Sequence, residues 1–465
     1  MRRTLVLIAG LLLLALPSFL PLEGLSAAGA ITLGIFLCAG LFWVFEPIPI
    51  YATSLLVIGA QLLFLSKSSP LVVARAFPFP TAEATSPDKF MATLAHPILI
   101  LFLGGFMLAE AASKYSLEKS LTRLVVAPFG NQSGRVLFGL MFATALLSAF
   151  MSNTATTAMM ITVISPIIAT LPPGDRFRTA LALAIPTAAN LGGMATPIGT
   201  PPNALALGAL SSAGYSVSFS SWMLLAAPLV VASLAIGWWL LMKLFPPSAP
   251  TLALKLDGGF DRSRPAILLY IVGGVTVALW LTEALHGVPS TLTAFIPIAL
   301  LPALGVIGKK EIRSLSWEVL WLVGGGISLG NSLKDTGLAT WMINLIEWQS
   351  LGPVAVLAGF VVVSITLANF LSHTVTTALL VPIAISLGTS GALGAGASMV
   401  FIAIAIALAS SFGMSLPIST PPNAIAIATG LVTTPQMARV GVVMAVVGLV
   451  LTAAAALFFW PLLPL

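Results

Sequence analysis

The sequence predicts an all-α, polytopic membrane protein: about 11 transmembrane helices, two re-entrant hairpins and two broken helices, arranged as an inverted repeat. Three observations predict it. Of 465 residues, 58% are hydrophobic and only 7% are charged, with a mean hydropathy of +1.08; an ordinary soluble domain carries about 25% charged residues. Apolar runs of roughly 18 residues or more, enough to cross a hydrocarbon core, recur along the whole chain. The two halves also carry the same motifs at one fixed displacement.

The first run, Leu5 to Leu20 behind Arg2 and Arg3, reads as a transmembrane helix rather than a cleavable leader, because Pro17 and Pro21 occupy the zone where small residues would mark cleavage. Further spans are expected at 25–45, 48–66, 92–112, 178–213, 220–244, 265–286, 290–307, 317–333, 395–430 and 436–460. Proline pairs interrupt 178–213 and 395–430, which read as broken helices. The stretches 134–171 and 354–389 each have room for two short helices around polar residues, and read as hairpins that enter and leave by one face. Cys38 is the only cysteine, so an intrachain disulfide and a multi-cysteine metal site are both excluded.

The formal charge of +6 does not point to nucleic acid, because the basic residues sit in short loops rather than on one face. In a membrane protein they set orientation. Alternating the spans from a cytoplasmic N-terminus puts 16 of the 20 Lys and Arg inside, leaving Lys67, Arg75, Lys89 and Lys334 outside. The expected topology in the cell inner (plasma) membrane is N-terminus in, C-terminus out. Scaffold helices are expected over 1–90 and 214–316, with a linker at 245–264. A transport domain would comprise 91–213 and 317–432, and 433–465 would form the last helix.

The repeats are direct. FMSNTATTAMM at 150–160 answers FLSHTVTTALL at 370–380, and GMATPIGTPPNALAL at 193–207 answers GMSLPISTPPNAIAI at 413–427. LFLGGF at 101–106 answers WLVGGG at 321–326, and all three pairs are displaced by 220 residues. Five expected spans lie between the copies, an odd number, so the copies would enter the membrane in opposite senses. Proline and glycine within an apolar span free backbone groups, which is tolerated at membrane depth only where the backbone is buried or lines a cavity. One such motif alone is as often a simple kink; paired copies at identical spacing favour a binding site.

No Asp, Glu, Lys or Arg occurs from Val136 to Gly174, from Thr179 to Met242, or from Trp348 to Ala438. Both candidate sites therefore lack fixed charge, and His373 is their only titratable group. A buried dianion there needs hydroxyl, amide and helix-end donors together with bound cations.

The paired hairpin motifs, Ser152-Asn153-Thr154 and Ser372-His373-Thr374, each precede a broken helix with a Thr-Pro-Pro turn. In this the chain resembles, over nearly its whole length, the divalent anion:sodium symporter (DASS) family. The resemblance implies two Na+ ions bound with one small divalent anion, most simply a C4-dicarboxylate such as succinate or malate, moved by an elevator-like motion in a homodimer. It assigns a first ion site to Ser148, Ser152, Asn153 and Gly199, and a second to Ser372 and Ser419. It assigns substrate contacts to Asn153, Thr154, Thr200 and Pro201, and to Ser372, Thr374, Thr420 and Pro421. The second half departs from the pattern, with His373 where Asn153 stands and Ala368 where Ser148 stands. His373 is counted with the substrate contacts, as a donor or a missing cation; the plain alternative is that it satisfies a backbone carbonyl. The departure puts two-sodium symport in question and opens the reading of a Na+-independent exchanger. Phosphate or sulfate would use the same donors as a carboxylate.

An enzyme is disfavoured, since the hairpins and breaks hold no acids and His96, His286 and His373 are not at metal-ligand spacing. No organic cofactor is expected, and the implied partners are the bilayer, the small anion and a second copy of the chain. Glu46 and Glu110 are expected at membrane faces, and Trp317, Trp321, Trp341, Trp348 and Trp460 as interfacial anchors.

Overall fold

The computed structural model describes residues 2–69, 84–252, 258–345, 348–389 and 399–463. The described residues are nearly all helical, and their β content is confined to two isolated bridges. Among the described residues, six helical stretches are long and apolar enough to cross a membrane unaided: Ala27–Phe45, Pro87–Lys114, Phe219–Leu244, Arg264–Leu281, Leu351–Phe370 and Thr434–Leu462. Shorter or less apolar helices stand at the other expected positions, among them Arg2–Ala15, Ile50–Phe64 and Trp317–Asp335.

Each expected hairpin is a helix–turn–helix pair. The first joins Ser133–Ser148 to Asn153–Ala169, and the second joins Trp348–Phe370 to His373–Thr389. At 1.5 Å rise per residue, the 16-residue first arm of the first hairpin is about 24 Å long, short of a full crossing, whereas the Leu351–Phe370 arm of the second is long enough to span. Both broken helices are broken where the proline pairs stand: Phe177–Gly193 gives way to Pro201–Ser212, and Met399–Ser410 to Pro421–Ala428. The 220-residue displacement survives in the folded chain, since Asn153 and His373 each open a helix, as do Pro201 and Pro421.

The long arm of the second hairpin starts at Pro353, beside the expected 354, behind a kink where Gly352 takes φ 69°. Two expectations need correction. The helix expected over 265–286 stops at Leu281, and the turn Glu283–His286 that follows is ended by Gly287 in the left-handed region. Trp460 is no interfacial anchor: it is fully buried and donates to the Leu225 carbonyl, because the last helix packs back on Phe219–Leu244. Arg75 and Lys255, counted above with the basic residues, lie outside the described residues.

Among the described residues, the bonds between loops fall into two groups. On one side, Ser133 and Leu252 bond to Pro250 and Asn131, Arg176 to Leu244, Ser248 to Asp175, Lys114 to Val306 and Glu311, and Thr179 to Leu431. On the other, Ser26 bonds to Thr336, Trp341 to Glu23, Lys89 to Asp335, and Phe219 to Glu283.

Packing is closest where small residues meet backbone. A side chain at Gly192 would strike the Ala145 carbonyl, so the first arm of the first hairpin lies directly on the first broken helix. Gly325 likewise abuts Ser54, with an added Cβ 2.6 Å from its carbonyl oxygen. The same pair of helices is clamped by a buried network: Gln61 Nε2 donates to the Ser328 carbonyl (3.0 Å) and to Ser332 Oγ (2.8 Å), while Ser328 Oγ donates to Gln61 Oε1 (2.6 Å). In an apolar medium such fully paired amides hold one register between helices.

Candidate functional site

Both hairpin tips and both helix breaks open on one cavity of about 580 Å3. Ser152, Asn153, Thr154, Gly199, Thr200 and Pro201 line it from the first half, and Ser372, His373, Thr374, Ser419, Thr420 and Pro421 from the second. Of the residues singled out in the sequence, Ser148 alone is absent from the wall, because it lies fully buried behind Asn153. Four helices therefore begin at the cavity, at Asn153, Pro201, His373 and Pro421. Each brings the positive end of its peptide dipoles, equivalent to roughly half an elementary charge. No Lys or Arg lines the cavity, so these ends and the neutral donors are its positive character.

The Thr-Pro-Pro-Asn sequence explains how a break this open is held. Prolines occupy the first two helical positions, where their missing N–H costs nothing and their φ is already helical. The asparagine that follows reaches back across the break. Asn203 Nδ2 donates to the Gly193 (2.9 Å) and Thr196 (2.7 Å) carbonyls, and Asn423 Nδ2 to Met414 (2.9 Å) and Leu416 (3.0 Å). Because prolines replace the first two N–H groups, an anion here meets side-chain hydroxyls and the dipole rather than a full set of helix amides.

Behind Asn153 the first half crowds oxygens together. Ser148 Oγ lies 2.6 Å from Asn153 Oδ1 and 2.8 Å from the Ala189 carbonyl, with one proton for two acceptors. A Cβ on Gly193 would fall 2.5 Å from Asn153 Oδ1, and one on Gly199 would fall 2.5 Å from the Gly193 oxygen and 3.0 Å from that of Ala149. Glycine is required at both. Neutral hydroxyl, amide and carbonyl oxygens converging with too few protons suit a hard cation such as Na+.

The second half is built differently at the same place. His373 is buried, and its Nε2 lies 3.0 Å from the Gly413 carbonyl, the counterpart of Gly193. A carbonyl only accepts, so Nε2 carries the proton. Thr377 Oγ1 donates to the His373 carbonyl (3.0 Å) and lies 3.1 Å from Ser410 Oγ. Ala368, where Ser148 stands in the first half, presents a methyl: a Cβ on Gly413 would meet it at 2.5 Å.

Asn190 was not foreseen. It is 1% exposed, lines the cavity, and donates from Nδ2 to Thr420 Oγ1 (3.3 Å) and Asn423 Oδ1 (3.4 Å), joining the first broken helix to the second. The available signal was a lone amide within a charge-free apolar helix. At the far end of the cavity stand Glu110, Ser113, Ser314, Leu315, Ser316 and Glu318. Glu110 Oε1 accepts from Ser314 Oγ at 2.6 Å.

The citrate transporter family (CitMHS) matches residues 40–395 and, in an overlapping second match, 277–465. The chain is 30% identical over 470 residues to the sodium-dependent dicarboxylate transporter SdcS of Staphylococcus saprophyticus, spanning 93% of this chain and 86% of the relative. SdcS of Staphylococcus aureus (strain USA300) is 29% identical over the same shares. The crystal structure of the Alcanivorax borkumensis YdaH transporter shares the fold, with a TM-score of 0.56 at 14% identity, over 92% of this chain and 100% of that one. The chain is a membrane transporter rather than an enzyme, and it belongs to the citrate transporter family, of the divalent anion:sodium symporter type that its paired hairpin motifs announce.

Proposed function

We propose that this protein carries C4-dicarboxylates such as succinate or malate across the plasma membrane, coupled to Na+, by alternating access of an elevator type within a homodimer. One observation carries the reading: four helix N-termini and an oxygen-rich cage meet at one cavity that no basic side chain lines. Such a site favours an anion and a cation together over either alone. The printed names of the SdcS relatives supply the substrate class and the ion.

The two repeats we take to be inserted in opposite senses. In support, the first hairpin is tied at Ser133 to the loop at 249–250, while the second starts beside Ile343 on the opposite group of loops. The cavity runs toward the loop at 314–318, which charge alternation assigns to the cytoplasm, so this conformation is inward-facing in our scheme. We restrict the moving part to the hairpins and broken helices. Helix Trp317–Asp335 is clamped by Gln61 to Ile50–Phe64, and helix Pro97–Lys114 abuts Ala294 at Gly104, so both belong with the scaffold.

The test is uptake of labelled succinate into proteoliposomes, with an inward Na+ gradient, with K+ in place of Na+, and with succinate preloaded. Accumulation that needs Na+ and no preloading is the expected result. Uptake that ignores Na+ and requires internal substrate would replace symport by exchange, a reading the His373 to Gly413 bond favours. Uptake of phosphate or sulfate with none of succinate would sink the dicarboxylate assignment.

A further inference from the structure

The two halves of a duplicated carrier ought to hold equivalent ion cages, and the 220-residue displacement lets each ligand be compared with its own counterpart. Of the four positions assigned to the first cage, only Ser152 has an unchanged counterpart, in Ser372. Ser148 becomes Ala368, Asn153 becomes His373 and Gly199 becomes Ser419.

Each change removes something a cation needs. Ala368 deletes the hydroxyl that bridges Asn153 and the Ala189 carbonyl in the first half. His373 deletes the amide oxygen and presents an N–H donor instead, which the Gly413 carbonyl accepts at 3.0 Å. The Gly193 carbonyl, at the same point of the first half, faces Gly199 across a gap that leaves no room for a Cβ. Ser419 has a Cβ, so the second break cannot approach its partner carbonyl in that way, and its hydroxyl donates to Leu416 instead (2.6 Å).

We infer that this transporter has one Na+ cage, in the first half, and that the imidazole of His373 permanently occupies the place of the second ion. The inference rests on the Na+-coupled reading above. The N–H does for the Gly413 carbonyl what a cation would do: it supplies positive potential along the lone pair and removes the need for an exchangeable partner. A donor fixed by its own chain cannot leave with the substrate.

The experiment measures initial succinate uptake into proteoliposomes against external Na+, with choline keeping ionic strength constant. It is run on the native chain and on a variant carrying Ala368→Ser, His373→Asn and Ser419→Gly, which copies the first cage into the second half. A Hill coefficient near one for the native chain and near two for the variant is the expected result. A native coefficient of two or more overturns the inference while leaving Na+ coupling intact. Native uptake indifferent to Na+ overturns the coupling itself, and the inference with it. Folding of the triple variant is not essential, because Na+-dependent thermal stabilisation of the purified protein supplies a second reading. Ser148→Ala should abolish that stabilisation completely; a residual Na+ effect in Ser148→Ala would reveal a second working cage and overturn the proposal.

Discussion

The two halves of the molecule share a backbone and differ in what they do with it. Both break a helix at Thr-Pro-Pro-Asn, and both close the break with the asparagine amide, Asn203 on Gly193 and Thr196, Asn423 on Met414 and Leu416. Only the first half arranges its hairpin tip so that oxygens outnumber protons. In the second, a histidine closes the same gap from within. The residues that close the break are thus the same in both halves, whereas three of the four positions assigned to the first ion site differ in the second.

Substitutions can sharpen that contrast. The largest effect is expected from Asn153→Ala, which removes a cage oxygen and a substrate contact together. Na+-driven succinate uptake should fall at least tenfold, on the order of 1.4 kcal/mol or more. Gly199→Ala comes next. It would press a methyl to 2.5 Å from the Gly193 oxygen, and apparent Na+ affinity should drop about tenfold, whereas Ser419→Gly at the matching position should leave it nearly unchanged. Equal effects from the two would break the comparison between halves. Asn190→Ala severs the bonds to Thr420 and Asn423, worth about 1 kcal/mol; a roughly fivefold weaker apparent affinity for succinate, measured by competition, is expected.

Away from the cavity, Gln61→Leu strands Ser328 and Ser332. It should lower the thermal midpoint of the purified protein while uptake per folded molecule is retained. The smallest effect concerns Glu118, on the short helix Leu117–Val126 between spans. It is 6% exposed, its Oε2 has no partner, and burial raises its carboxyl above the ordinary carboxylate range, with a bond to its own backbone and nearby Lys119 working the other way. A raised carboxylate pKa means the folded protein holds the proton more tightly than the unfolded chain, so stability falls as pH rises through that window. Glu118→Gln should therefore raise the thermal midpoint slightly at pH 8, with the gain vanishing as pH approaches 4. A gain that persists at low pH would show that the side chain acts through packing instead.

Much of this was legible in the chain. Repeats at one displacement located both hairpins, both breaks and the cavity wall, because each depends on local chemistry: a proline pair, an adjacent hydroxyl, an absence of charge. Asn190 was not legible in the same way, since its role depends on a partner 230 residues distant that only docking of the halves brings near. The burial of Trp460 and the clamp at Gln61 were hidden for the same reason. His373 stood out as a departure, and the structure gives its Nε2 the Gly413 carbonyl while keeping the residue on the cavity wall.

The bond from His373 to the Gly413 carbonyl also has an electrical meaning. On the one-cage inference, a dicarboxylate's two negative charges travel with one Na+ while the imidazole stays with the chain, so each inward cycle would move a net charge of −1. An inside-negative potential of 100 mV opposes that by about 2.3 kcal/mol. A tenfold inward Na+ gradient returns only about 1.4 kcal/mol. At those values such a carrier would not accumulate its anion. It runs downhill on export, or swaps one dianion for another, in which case the charges cancel and the voltage no longer matters. A single imidazole in place of an ion is enough to turn an importer toward exchange.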